Sequence, residues 1–218
     1  MGFSPRLALC PVLLAAAFAF HGAAMAAGTS DSFESVRARC PGLANVDLAA
    51  LAAMPFDVAA ARTALGASAT PQLGDAAIVM RLFAPSGFGR APSYTTHVVA
   101  RRVKGRWHYT RVRRPLVQDA TPGEPVRAGA QMQDGLLSVA ASQALDAALD
   151  DPCFAHEPDY APRTLPLLGN IGETCVDGSA FLLQIERAEG VRTIRQDCVP
   201  RWHAGEIMRL LRDAIRQQ

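Results

Sequence analysis

The chain has 218 residues, with 22 Lys plus Arg against 20 Asp plus Glu. A nearly neutral chain of this size has enough residues to bury one core, and its charge balance excludes bulk electrostatic capture of nucleic acid. Half of its residues are hydrophobic, a globular composition, and Lys104 is the only lysine among many arginines, which reads as the coding bias of a GC-rich bacterial genome.

The first 26 residues read as an export signal. Arg6 supplies a positive start, Leu7 to Phe20 is almost wholly apolar, and Ala24-Met25-Ala26 has the small-x-small spacing of a peptidase site. Retention as an anchor is the alternative, but Pro11, His21 and Gly22 shorten the apolar run, so no stable membrane span is expected after cleavage. Residues 27–218 are then one domain, periplasmic or secreted.

Cys40, Cys153, Cys175 and Cys198 remain beyond the signal, an even number that reads as two disulfides in an oxidising compartment. Three pairings are open to sequence. The expectation is Cys40 with Cys153 and Cys175 with Cys198, as structural staples, because no two of them have the CxxC spacing of a redox pair.

In chain order, Asp31 and Glu34 have capping-box spacing for a short helix that Pro41-Gly42 stops. A helix in two pieces follows from Asp47, broken at Pro55 and ending before Gly66. Residues 76–84 read as a strand, and residues 94–113 as a hairpin turning at Lys104-Gly105. A three-residue loop puts Trp107 and Tyr109 on a face with Val99 and Val103; a two-residue loop groups them with Val98 and Ala100. The register stays open. Residues 114–131 form a Pro/Gly-rich loop, and Leu137, Ala141, Ala144, Leu145 and Ala148 mark a packed helix. A second hairpin, 180–186 with 191–198, precedes a last helix carrying Ile207, Leu210, Leu211, Ala214 and Ile215. This order predicts an α+β fold: an antiparallel sheet of about five strands built from two hairpins, packed with three to four helices and stabilised by disulfides.

The sharpest functional pattern is the basic hairpin, where Arg101, Arg102, Lys104, Arg106, Arg111, Arg113 and Arg114 surround Trp107, His108 and Tyr109. Guanidinium groups beside aromatic rings suit an anionic ligand, so Arg101, Arg102, Arg106, Trp107, Tyr109 and Arg111 are the expected binding residues. The competing explanation is a solvated strand whose charges discourage aggregation. A second cluster, His156, Glu157, Asp159 and Tyr160, has the groups of a general base but lacks metal-ligand spacing. Glu173, Asp177, Glu186 and Glu189 could hold a carboxylate pair of glycosidase type, although Glu186 facing Arg192 across the second hairpin explains one of them structurally.

No catalytic signature, nucleotide loop, metal centre or cofactor motif is expected. The sequence therefore points to an exported bacterial protein, a non-catalytic binder of an anionic envelope polymer or of another exported protein. A hydrolase of envelope polymers, using loop carboxylates or histidines, is the alternative, and an inhibitor or assembly factor using the 114–131 loop is a third.

Overall fold

The computed structural model describes residues 32–86, 94–115, 130–175, 179–198 and 200–213. The signal at 1–26 and most of the 114–131 loop lie outside the described residues. Three short helices come first: α1 (Phe33–Arg39), α2 (Leu48–Ala52) and α3 (Val58–Leu65). Each begins on an oxygen-bearing side chain that takes an otherwise unpaired N–H of the first turn. Asp47 Oδ1 accepts from Ala50 N–H at 3.0 Å and Asp57 Oδ1 from Ala60 N–H at 2.9 Å. For α1 the cap is Ser32, accepting from Ser35 N–H, while Asp31 of the expected Asp31–Glu34 box lies outside the described residues. The break at Pro55 separates α2 from α3, and Gly66, at φ +62°, ends α3 in the left-handed conformation glycine adopts readily.

The fold is α+β, but the sheet is larger than expected and mixed. The strands are β1 (Ile78–Ser86), β2 (Tyr94–Val103), β3 (Arg106–Pro115), β4 (Gln131–Leu136), β5 (Tyr160–Ala161), β6 (Thr164–Leu167), β7 (Asn170–Thr174), β8 (Ser179–Arg187) and β9 (Gly190–Cys198). Seven of them form one sheet in the order β4-β3-β2-β1-β8-β9-β5, and β6 pairs with β7 separately. Every neighbouring pair in the large sheet is antiparallel except β5 with β9. With α4 (Val139–Asp150) and α5 (Trp202–Asp213), five α-helices are described, against the three to four expected.

The turn between β2 and β3 settles the hairpin register. Lys104 and Gly105 both have positive φ, +49° and +76°, the signature of a two-residue turn whose twist matches its strands. Val103 therefore pairs with Arg106, Arg102 with Trp107 and Ala100 with Tyr109. Because a strand alternates faces, Trp107 and Tyr109 share the inner face with Val98 and Ala100. Met80 and Leu82 of β1, Leu183 and Ile185 of β8 and Ile194 of β9 join them there, against Leu145 of α4 and Ile207, Met208 and Leu211 of α5. This is the main core.

A second cluster packs α1 and α2 with Leu165, Cys153 and Trp202. The Cys40–Cys153 disulfide, with Cα atoms 5.6 Å apart, closes this region across 113 residues. Cys175 and Cys198, with Cα atoms 6.1 Å apart, form the second bridge, so both expected pairings are present. A third, smaller cluster lays Ala61 and Leu65 of α3 on Leu182, with Phe56 and Phe83 at its margin, on the opposite, outer face of the sheet. Helix α3 packs on β1, β8 and β9. None of the described outer-face side chains of β2, β3 and β4 is buried.

Candidate functional site

Alternation divides the expected ligand set between two faces. Arg102, Trp107, Tyr109 and Arg111 project inward, while Arg101 and Arg106 project outward. Trp107 is 1% exposed, and its indole N–H donates to Asp146 Oδ1 at 2.9 Å. Arg102 reaches the other oxygen of the same carboxylate at 3.3 Å. Both residues thus fasten the hairpin to α4. Tyr109 is equally buried, over Gly135, where a Cβ would come within 2.7 Å of the tyrosine hydroxyl oxygen. The expectation that Trp107 and Tyr109 stack on a ligand is corrected: their rings are core, because the two-residue turn turns them toward α4 and α5.

Arg101 is also engaged. Its Nη2 donates to the Leu73 carbonyl at 2.8 Å and lies 3.8 Å from Asp75, holding the segment before β1 against the sheet. Arg111 has a partner of its own. Of the six expected residues, only Arg106 is an exposed cation without an ion-pair partner among the described residues.

The open outer face of β3 nevertheless gathers other basic residue types of the same motif. Arg106, His108 and Arg114 alternate outward with Thr110 and Val112, and Lys104 stands exposed in the adjoining turn. Arg114, like Arg106, has no ion-pair partner among the described residues. Across the pair, His97 of β2 packs edge-on against Phe83 with ring centroids 5.0 Å apart. Burial, reinforced by the Arg114 charge, holds the His97 imidazole below its ordinary range. The acidic side chain on the outer face of β4 is Asp134, which Thr110 engages through its hydroxyl. From Arg106 to Arg114 the basic row extends roughly 27 Å at the rise of an antiparallel strand.

The second expected cluster is brought together differently. Glu157, in the loop after α4, reaches the start of α5, 46 residues away. Its Oε1 accepts from His203 N–H at 2.6 Å and lies 2.7 Å from His203 Nδ1, while Oε2 accepts from Ala204 N–H at 2.9 Å. His203 Nε2 lies 3.3 Å from Asp151. Burial raises the Glu157 carboxyl above its usual range, and the His203 and Ala204 contacts oppose that rise. With a carboxylate at each ring nitrogen, His203 is a clamp and Glu157 a buried cap on the first turn of α5.

The other members are placed nearby as supports. Arg192 ties the 154–159 loop down through the carbonyls of Phe154 and Glu157 and the Asp159 carboxylate, the last at 2.8 Å. Tyr160 donates to Asp197. His156 falls in the short turn Phe154–His156 and has a partner.

Among the described residues, Glu186 of the second hairpin is held by partners that are not carboxylates. Its side chain, 1% exposed, accepts from Arg81 Nε at 2.8 Å, Gln184 Nε2 at 3.0 Å and Gln72 N–H at 2.9 Å. The expected pair with Arg192 is corrected, since Glu186 faces outward toward Arg81 while Arg192 faces the loop on the inner side. Glu189 is exposed beside the β8–β9 turn, Glu173 lies on β7, and Asp177 lies outside the described residues.

No group of three or more His, Cys, Asp or Glu side chains that could hold a metal occurs among the described residues. No described helix is long and apolar enough to cross a membrane. Comparison with known proteins supplies no relative: no family model, no curated protein and no solved structure matches the chain.

Proposed function

We propose that this chain is an exported, non-catalytic binding protein that holds an anionic envelope component on the open outer face of β2, β3 and β4. The observation that carries this reading is the outward row Arg106, His108 and Arg114, with Lys104 at its end, on a sheet face that no described helix covers. Two disulfides support export, since such bridges persist in oxidising compartments. Exposed guanidinium groups take carboxylate or phosphate at little desolvation cost, and a linear row of them suits an extended polyanion better than a compact ligand. The absence of an ion-pair partner for Arg106 and Arg114 among the described residues means that binding an anion there breaks no described ion pair.

The test is affinity for polygalacturonate, a linear polycarboxylate, at low and physiological salt. The double variant Arg106→Glu/Arg114→Glu should weaken binding by at least about tenfold, and salt should weaken the native protein's binding in the same direction. Equal binding by native protein and variant would remove the basic row from the function.

A further inference from the structure

The open outer face carries two histidines as well as its arginines, and each histidine stands beside one arginine. On β3, His108 is exposed and lies two residues from Arg106, so both side chains project from the same face about 7 Å apart. At the other end, His97 of β2 pairs with Val112, which makes Arg114 its diagonal neighbour. Between these two pairs the outward positions of β3 are Thr110 and Val112, which carry no charge. Each end of the row is therefore an arginine with a neighbour of variable charge, because histidine is the side chain that ordinarily titrates between about pH 5 and 8.

The charged groups around each ring are few. Facing His108 are Arg106 and Lys104 toward the turn, Arg101 directly opposite on β2 and Asp134 diagonally across on β4. Arg101 is drawn to the Leu73 carbonyl and Asp75, and Asp134 accepts from the Thr110 hydroxyl. Facing His97 are Arg114 and, diagonally on β1, Arg81, which Glu186 holds; Phe83 packs against the ring itself. Neither histidine has an ion-pair partner among the described residues.

We infer that this face is a pH-gated anion site, in which protonation of His108 and His97 turns each lone arginine into a two-cation contact and tightens the hold on a polyanion. This rests on the anion-binding reading of the face and adds its regulation. The sign is fixed by linkage. A bound polyanion favours the charged form of each imidazole, so binding takes up protons and affinity rises as pH falls. His97 joins only at the acid end of the range, because burial and the Arg114 charge hold its ring neutral; a ligand carboxylate or sulfate beside Arg114 relieves the second of these.

The experiment is calorimetric titration of the protein with polygalacturonate and with dextran sulfate, whose sulfate esters do not titrate, from about pH 5.5 to 8 at constant ionic strength. Repeating each titration in buffers of different ionisation heat counts the protons taken up. Native affinity for both polyanions should be at least about fivefold tighter at the acid end, with net proton uptake. His108→Gln should remove most of that gain, His97→Gln the remainder, and His108→Arg should keep binding tight at the alkaline end. His108 is exposed, so its two variants decide the matter even when His97→Gln fails to fold. Affinity for dextran sulfate that ignores pH, or a pH dependence that survives in both His108 variants, overturns the gate while the anion-binding face stands. If neither polyanion binds at any pH, or if Arg106→Glu/Arg114→Glu binds both as before, the functional reading itself is wrong.

Discussion

The outer face of the sheet has two halves, and they treat the same residue types in opposite ways. Over β1, β8 and β9, helix α3 and the segment that follows it cover the strands, and most of the polar groups beneath pair with one another, Gln184 Oε1 excepted. Glu186 accepts from Arg81, Gln184 and the Gln72 backbone; Arg62 with Thr193 is another contact of the same kind. Over β2, β3 and β4 the side chains stay at least partly exposed, and Arg106 and Arg114 find no ion-pair partner among the described residues. Charge under a cover is structural because burial makes an unpaired ion costly. Charge on the open half carries no such obligation and is available to a ligand.

The largest expected effect lies in the covered half. Glu186→Ala strands the Arg81 guanidinium in a largely enclosed site and should cost about 3–5 kcal/mol, read by urea denaturation. The double variant with Arg81→Ala should recover part of that loss. A cost below about 1 kcal/mol would erase the contrast between the halves.

A middle-sized effect belongs to the α5 cap. Glu157→Gln loses charge and one good acceptor and should cost about 1–3 kcal/mol. Its pH dependence has a definite sign. The Glu157 carboxyl titrates higher in the folded chain than in the unfolded one, so its ionisation contribution favours folding at low pH and is lost as pH rises through the folded value. Stability curves of native protein and Glu157→Gln should differ in that window, with the glutamine variant flatter. Matching curves would contradict the burial assigned to this carboxyl.

The smallest effect is on the open half itself. Arg106→Ala and Arg114→Ala should each change stability by no more than about 0.5 kcal/mol, because neither side chain holds the fold together. His97 adds a weak pH signature of opposite sign. Its folded value is depressed, so acidification from the ordinary histidine range downward costs stability, and His97→Gln should remove that slope.

Much of the architecture could be read locally. The two hairpins and the helix broken at Pro55 follow from turn residues and spacing, whereas the sequence left three cysteine pairings open and the structure supplies the one expected. Strand β4 could not, since Gln131–Leu136 contains a glycine and no β-branched residue; its conformation comes from β3 and from Tyr109 covering Gly135. The two-residue strand β5, parallel to β9, left no periodic signal either.

The candidate site was half visible for one reason. The basic residues were evident, but their faces depended on whether the Lys104-Gly105 loop held two residues or three, and a slip of one inverts every side chain. Once the turn is fixed, Trp107 and Tyr109 go to the core while Arg106, His108 and Arg114 go to solvent. The Glu157–His203 contact joins residues far apart in the chain, and neither residue's neighbours announce it.

The most direct measurement is an NMR titration of the isotopically labelled protein with polygalacturonate. Perturbed amide and arginine side-chain signals should cluster on Arg106, His108, Arg114 and the facing positions of β2 and β4, leaving the Arg81–Glu186 set and α3 unmoved. Shifts centred instead on His203, Asp151 and Glu157, or on the covered half, would contradict the division of the sheet into a structural half and a binding half.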